Sequence, residues 1–391
     1  MGRTEPSIGR PPASFRRAAR AKKAKATLNV LIPSLLSAHP RARRGIDAAE
    51  LIVEPPAQQE AQNVRSAENG SPAGPRLALC VGDTLATAHS LLRNASTGEF
   101  DLSNKGTRVA VLNMASPLSP GGGFLNGAGS QEESLCMRTT LLPSLRDEYY
   151  RLPELGTVYT PDVLVFRNEG GEDLEKRDRW FVDCISSAML RLPETETDEA
   201  GRGRYVHEKD RELVLRKMRV VLRVCQAKGA RKIVLGTWGC GAYGNPVGEV
   251  GAAWRKVLLP AQEAKGKKRG DKERWIGIED VVFAIKDRGM AEAFRRAFGN
   301  SLPVMKMADS DDVGEDSEEQ EDMDEADSQE LQDKIRELET RIQQGGNPHV
   351  RAGLTTVLTG LRSQLAEKCT KRRDRRDSEE EEEEKDDETD S

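Results

Sequence analysis

The chain has 391 residues, enough for two or three domains, yet 32% are charged and only 4% aromatic, so part of it never enters an apolar core. Its net charge of −5 hides a division: from residue 301 onward 29 acids face 13 bases, leaving 47 bases against 36 acids before it. A basic body favours polyanionic partners. The 6 cysteines lack CxxC spacing and the 4 histidines lack ligand spacing, so the sequence predicts a reduced compartment, no structural zinc, no metal and no cofactor.

Residues 1–12 are rich in Pro, Gly and Arg and are expected to be disordered, after which 15–36 alternate basic and apolar residues at helical spacing. Eight bases against one acid in the first 25 residues is also the composition of a mitochondrial presequence, kept as the alternative to a nuclear or cytoplasmic location. The apolar run 28–36 is too short, and too interrupted by Pro33, to cross a membrane. A polar loop or linker covers 54–75. Strand-like runs follow at 76–81, 108–114, 163–166, 180–185, 232–235 and 280–285, alternating with helical stretches at 84–92, 133–150, 205–228, 247–264 and 290–298. Such alternation predicts an α/β fold, a sheet with helices on both faces and ligands at the carboxyl ends of its strands. The charged segments 193–203 and 265–272 read as exposed loops.

After this body come an acidic linker, 301–329, and a segment, 330–368, in which Leu331, Ile335, Leu338 and Ile342 recur at a/d spacing. Gly345-Gly346 breaks that stripe, and Asn347 and Pro348 suit N-cap and N1 of a second helix carrying Leu354, Val357, Leu358, Leu361 and Leu365. A helical hairpin or coiled coil is expected, packed on itself, on the body or on a second copy. The remainder, 369–391, is a charged tail with a basic cluster at 371–376.

Chemistry concentrates after the run 109–115, where Gly121-Gly122-Gly123 precede Gln131-Glu132-Glu133. Glycines permit close approach of main-chain amides to phosphate, and the acids open an amphipathic stretch, so the pair suits a phosphorylated sugar with a bond to be cleaved. A plain turn before a helix with dipole-complementing acids is the other use of these residues. Adjacent helical carboxylates point about 100° apart and approach from one side, so they are not a flanking glycosidase pair. One Glu acting first as acid and then as base is the more economical arrangement. A second cluster, Gly239-Cys240-Gly241-Ala242-Tyr243-Gly244, follows 232–235, with Asn245 as N-cap and Pro246 at N1 of the next helix. It spells GxGxxG but lies late in the domain and lacks the distal acid, which excludes a nicotinamide site; no Lys-Ser/Thr follows, which excludes a Walker A loop. What remains is an anion site for a diphosphate, or a tight turn. Asp83 after the first of these strands suits a helix cap, and Asn113 and Ser116 suit a turn.

The run LNMASPLSPGGGFLNGAGSQEESLCMRTTLLPSL resembles the signature of the microbial-type poly(ADP-ribose) glycohydrolases, and the likeness continues through Tyr159-Thr160-Pro161-Asp162-Val163 and the second glycine cluster. The resemblance spans about 13–300 and implies a macrodomain-like catalytic domain with an accessory N-terminal helix. It implies hydrolysis of ribose–ribose O-glycosidic bonds of poly(ADP-ribose), with Glu133 as catalytic acid and base and Glu132 orienting the ribose hydroxyls. Substrate contacts are expected from Gly121, Gly122, Gly123, Phe124, Gln131, Gly239, Gly241, Ala242 and Tyr243, with Asp83 at adenine and Asn113 at the distal ribose. Met137 between Cys136 and Arg138, and Tyr243 in place of a common Phe, depart from the family pattern. Expected partners are poly(ADP-ribose) or ADP-ribosylated proteins, and basic proteins at the acidic tail, with no membrane and no sequence-specific DNA. Two other readings share these features: a non-catalytic ADP-ribose reader, and an interaction factor working through its tail.

Overall fold

In the computed structural model the described residues are 13–57, 74–94, 97–199, 201–259, 273–299, 302–305 and part of 332–366. The chain divides into two compact units, Met1–Val313 and Gly314–Ser391. The first is built on an eight-stranded sheet of order β1-β4-β5-β3-β8-β9-β2-β10. Its strands are β1 (Glu50–Val53), β2 (Arg76–Val81), β3 (Val109–Met114), β4 (Gly156–Val165), β5 (Trp180–Ser187), β8 (Lys232–Leu235), β9 (Asp280–Ile285) and β10 (Val304–Met305). A separate hairpin pairs β6 (Thr195–Thr197) with β7 (Gly203–Tyr205). From β5 through β10 neighbours run parallel, whereas β4 is antiparallel to both β1 and β5.

Parallel strands covered on both faces must be apolar on both, and β3 is buried from Val109 through Asn113. The strand period of two divides its side chains between two cores. Ala110 and Leu112 join Met218, Val221, Trp254, Phe294 and Phe298 on one side. Val109 and Val111 join Leu85, Ala88, Leu135 and Cys136 on the other. The first layer is supplied by the helices Glu208–Ala227, Val247–Leu258 and Arg288–Phe298; the second by Thr84–Leu91 and Gln131–Arg138. The expected α/β sheet with helices on both faces is therefore present. In chain order the helices are α1 (Ala13–Ala26), α2 (Ile32–Ala38), α3 (Pro40–Asp47), α4 (Thr84–Leu91), α5 (Gln131–Arg138), α6 (Glu208–Ala227), α7 (Val247–Leu258) and α8 (Arg288–Phe298). No described helix is long and apolar enough to cross a membrane.

Several expectations need correction. The helix expected over 133–150 stops at Arg138: Thr139 turns extended, bridges Val165, and caps the end by donating Oγ1–H to Leu135 O at 2.8 Å. Short 3₁₀ turns replace the rest. The strand expected at 163–166 begins at Gly156, because Pro161 and Asp162 form a bulge inside β4 rather than a turn before it. Asp162 sits at φ +53°, its N–H bonded to Asp183 Oδ1 at 3.1 Å and its carboxylate to Arg41. The helical stretch 15–36 is α1 and α2 joined by a π-helical segment, Thr27–Leu31, and continues after His39 into α3. The charged segment 193–203 contains β6 and the first residue of β7, with most of its residues exposed.

In the second unit the described residues between 332 and 343 and between 355 and 366 are helical. Leu358 is buried, and Arg362 donates to Glu339 Oε1 at 2.7 Å, so these two stretches lie side by side. We propose them as the two arms of the expected hairpin. Of the acidic linker expected over 301–329, Leu302 is buried and Val304–Met305 pair with β2 as β10, so this end belongs to the sheet; 306–329, the N-terminal 1–12, the Gly345-Gly346 turn, the Asn347-Pro348 cap and the tail lie outside the described residues.

Helix α1 is tied to the turn that follows the glycine run. Arg17 Nε donates to Asn126 O at 3.0 Å and Arg20 Nε to Gly127 O at 2.9 Å. Gly127 has φ +76°, and a Cβ there would overlap the Arg17 carbonyl oxygen. Gly127→Ala should therefore undock α1. It should lower Tm by roughly 5 °C and open 13–26 to proteolysis; a variant with unchanged Tm and digestion pattern would show that α1 does not depend on this contact.

Candidate active site

Strand β3 delivers Asn113 and Met114 to its carboxyl end, and the chain then turns through Gly121 (φ +66°) and Gly122 (φ +54°) before α5 begins. Both carboxylates fold back onto this turn. A Cβ on Gly122 would lie 2.7 Å from Glu133 Oε1 and 2.9 Å from Glu132 Oε2, so glycine is demanded there by the acids as well as by the backbone. Glu132, 2% exposed, accepts Ser116 N–H on Oε2 at 2.7 Å and Asn113 Nδ2–H on Oε1 at 3.3 Å. Glu133, also buried, accepts Gly123 N–H on Oε1 at 2.7 Å and the Ser130 hydroxyl on Oε2. Desolvation, followed by the adjacent Glu133 charge, pushes the Glu132 carboxyl up to about 8.

Gln131 is spent inside the fold: its Oε1 accepts Met114 N–H at 2.9 Å and its Nε2 donates to Leu112 O at 2.8 Å, pinning α5 to β3. The Phe124 ring is buried in the core beside Leu135 and Cys136, so its expected substrate contact is left to its main chain. Asn113 Nδ2 also donates to Ser186 Oγ at 3.0 Å, while its Oδ1 is buried without a hydrogen-bond partner. Asp83 is the N-cap of α4, accepting from Leu85 N and Ala86 N at 2.9 Å each, and pairs with Arg138 at 2.8 Å. That ion pair fastens the end of α5 to the start of α4.

The second glycine cluster follows β8, the neighbour of β3, so the two loops emerge side by side. Where they begin they touch: a Cβ on Gly236 would lie 2.5 Å from Met114 Cε. Gly239, Ala242 and Tyr243 are partly accessible and Gly241 is exposed, leaving this turn open for a ligand. Asn245 is not the helix cap; Pro246 holds that place, extended, and α7 starts at Val247. The Asn245 amide is instead a staple, donating to Leu190 O at 2.7 Å and Gly239 O at 2.9 Å and accepting from Tyr205 OH at 2.8 Å.

Two residues near the acids escaped the sequence reading. Ser130 carries the hydroxyl on Glu133. Tyr150 has a buried hydroxyl with no hydrogen-bond partner, and burial together with Glu132, Cys136 and Tyr243 raises its pKa. Its segment is tied to the loop before the glycines by Leu152 N–H donating to Pro117 O at 3.0 Å. A separate cavity of about 340 Å³ lies beside the site, walled by Pro117, Leu152, Met189, Arg191 and Lys217. Among the described residues no three His, Cys, Asp or Glu side chains are grouped to hold a metal.

Residues 47–168, which include the first glycine run and both acids, match the family of the microbial-type PARG catalytic domain. By this segment the chain is similar to the microbial-type PARG family. The solved structure of poly(ADP-ribose) glycohydrolase from Thermomonospora curvata is similar at 26% identity, covering 73% of this chain and 99% of that one with a TM-score of 0.51. The same enzyme bound to the inhibitor ADP-HPD matches at 25% identity, over 73% and 99% of the two chains, with a TM-score of 0.50. Comparison with curated proteins gave no match. The PARG match ends before β5, so the second glycine loop is tied to this family through the fold alone.

The raised Glu132 pKa has a consequence for stability. An acid whose folded pKa of about 8 exceeds its ordinary value near 4.5 favours folding most when protonated, and that advantage is lost as pH climbs through this window. Glu132→Gln should therefore gain Tm over wild type as pH rises from 5 to 9, with little difference below pH 4.5. Parallel Tm curves for the two proteins would refute the buried-charge account.

Proposed function

We propose that this chain hydrolyses the ribose–ribose O-glycosidic bonds of poly(ADP-ribose), releasing ADP-ribose, with Glu133 as the single acid and base and without a metal. The observation that carries this reading is the convergence of two glycine turns and two buried carboxylates at the ends of adjacent strands, in a chain similar to a poly(ADP-ribose) glycohydrolase. Amides of 239 and 241 supply donors for a diphosphate without side chains in the way, whereas those of Gly122 and Gly123 are given to Ser119 O and Glu133 and shape the pocket beside them. Asn113 Oδ1, unpartnered beside Glu132, is a ready acceptor for a ribose hydroxyl. Glu132, kept largely protonated at neutral pH, can donate to another.

In the proposed reaction the protonated Glu133 carboxyl gives its proton to the leaving ribose oxygen as the anomeric C–O bond breaks. The resulting oxocarbenium-like ribose is stabilised by the diphosphate held on the glycine amides. The Glu133 carboxylate then takes a proton from water as that water adds to the anomeric carbon, which regenerates the acid. One product is ADP-ribose with a free anomeric hydroxyl; the other is the shortened polymer with a free ribose hydroxyl.

Glu133→Gln keeps shape and hydrogen bonding but cannot transfer the proton. Release of ADP-ribose from labelled polymer should fall by about 10²–10⁴-fold, while ADP-ribose affinity by calorimetry stays within about threefold. Hydrolysis at the wild-type rate would overturn the assignment of Glu133. Wild-type protein that binds ADP-ribose yet releases none from the polymer would be a reader instead.

A further inference from the structure

We infer that Ser130 is a positioning residue for Glu133, holding its carboxyl in one orientation through both of its protonation states. The inference rests on the proposed glycohydrolase reading. Ser130-Gln131-Glu132-Glu133 has the S-x-x-E spacing of a capping box, in which the serine hydroxyl bonds the main-chain N–H of the Glu and the Glu bonds that of the Ser. Ser130 does stand at the N-cap of α5, but its side chain makes no cap bond. Its hydroxyl goes to Glu133 Oε2, and Glu133 Oε1 turns away from the helix to accept Gly123 N–H. A serine cap stabilises the start of a helix, so a cap-competent pair has given up that role to hold a carboxyl group over Gly122.

Gly123 and Ser130 meet Glu133 with donors of different kinds. Gly123 N–H can only donate, which suits the carboxylate. A hydroxyl can donate to the carboxylate and, after rotating, accept from the carboxylic acid. Unlike the Gly123 amide, Ser130 is thus able to follow Glu133 as it gives up a proton and takes one back, without the side chain moving. The loop carrying it is anchored independently, through the Arg20 bond to Gly127 O. Glu132 is held differently, by Ser116 N–H and Asn113 Nδ2–H, so a change at Ser130 reaches one acid and not the other.

The test compares Ser130→Gly, Ser130→Ala and Ser130→Thr in the full chain, measuring kcat and KM on labelled poly(ADP-ribose), ADP-ribose affinity and Tm. Glycine is nearly as good an N-cap as serine and alanine is poor, whereas threonine keeps the hydroxyl. The expected result is that Gly and Ala variants both lose about ten- to a hundredfold in kcat with KM and ADP-ribose affinity within about twofold, and that Thr restores most of it. A Gly variant that turns over at the wild-type rate, with only the Ala variant losing Tm, would reduce Ser130 to a helix cap and overturn the inference. Wild-type protein that cleaves no polymer would overturn the functional reading and this inference with it, and is recognised because the unsubstituted chain is itself inert.

Discussion

Burying two neighbouring carboxyl groups is costly unless donors meet them, and the architecture around Glu132 and Glu133 answers that cost with main-chain amides. Ser116 and Gly123 turn their N–H groups inward, Asn113 and Ser130 add side-chain donors, and Gly122 keeps the space between them free of a Cβ. Even so, Glu132 is held largely protonated by its surroundings. A carboxylic acid that is neutral near physiological pH is a hydrogen-bond donor, which is what a ribose hydroxyl can use.

The sheet determines where this arrangement can stand. β3 and β8 are parallel neighbours in the middle of an eight-stranded order, so their carboxyl ends present two loops at one edge of the fold. Around them the fixings are specific and come from distant parts of the chain. Gln131 pins α5 to β3, Arg138 ties its far end to the cap of α4, Asn245 staples the second loop to Leu190 O, and α1 grips the turn at Gly127. The acids are thus held from several elements at once, which suits a site built from main-chain amides and fixed carboxyl groups.

The sheet and the glycine–acid pair were legible because they rest on local signals: short continuous apolar runs, consecutive glycines after one of them, and acids at a helix start. What was not legible depends on contacts between segments far apart. Pro161 and Asp162 read as a strand boundary, yet Asp183 and Arg41 hold them as a bulge within β4. The stretch after Arg138 has helical spacing, but Thr139 is captured by Val165 on another strand. Asn245-Pro246 has the composition of a cap, and the amide is taken instead by Leu190 and Tyr205. Ser130 could have been noticed through its S-x-x-E spacing, though only in the folded chain are the capping bonds seen to be replaced by a side-chain pair. Nothing in the sequence near Tyr150 points to its unpartnered hydroxyl.

The central claim is that the two glycine loops and the two acids form one ligand site. A crystal structure of Glu133→Gln with ADP-ribose tests it most directly. The account predicts the diphosphate on the amides of 239 and 241, with the distal ribose against Glu132 and Asn113. ADP-ribose lodged instead in the cavity beside Lys217 and Arg191, with the glycine amides unoccupied, would contradict it.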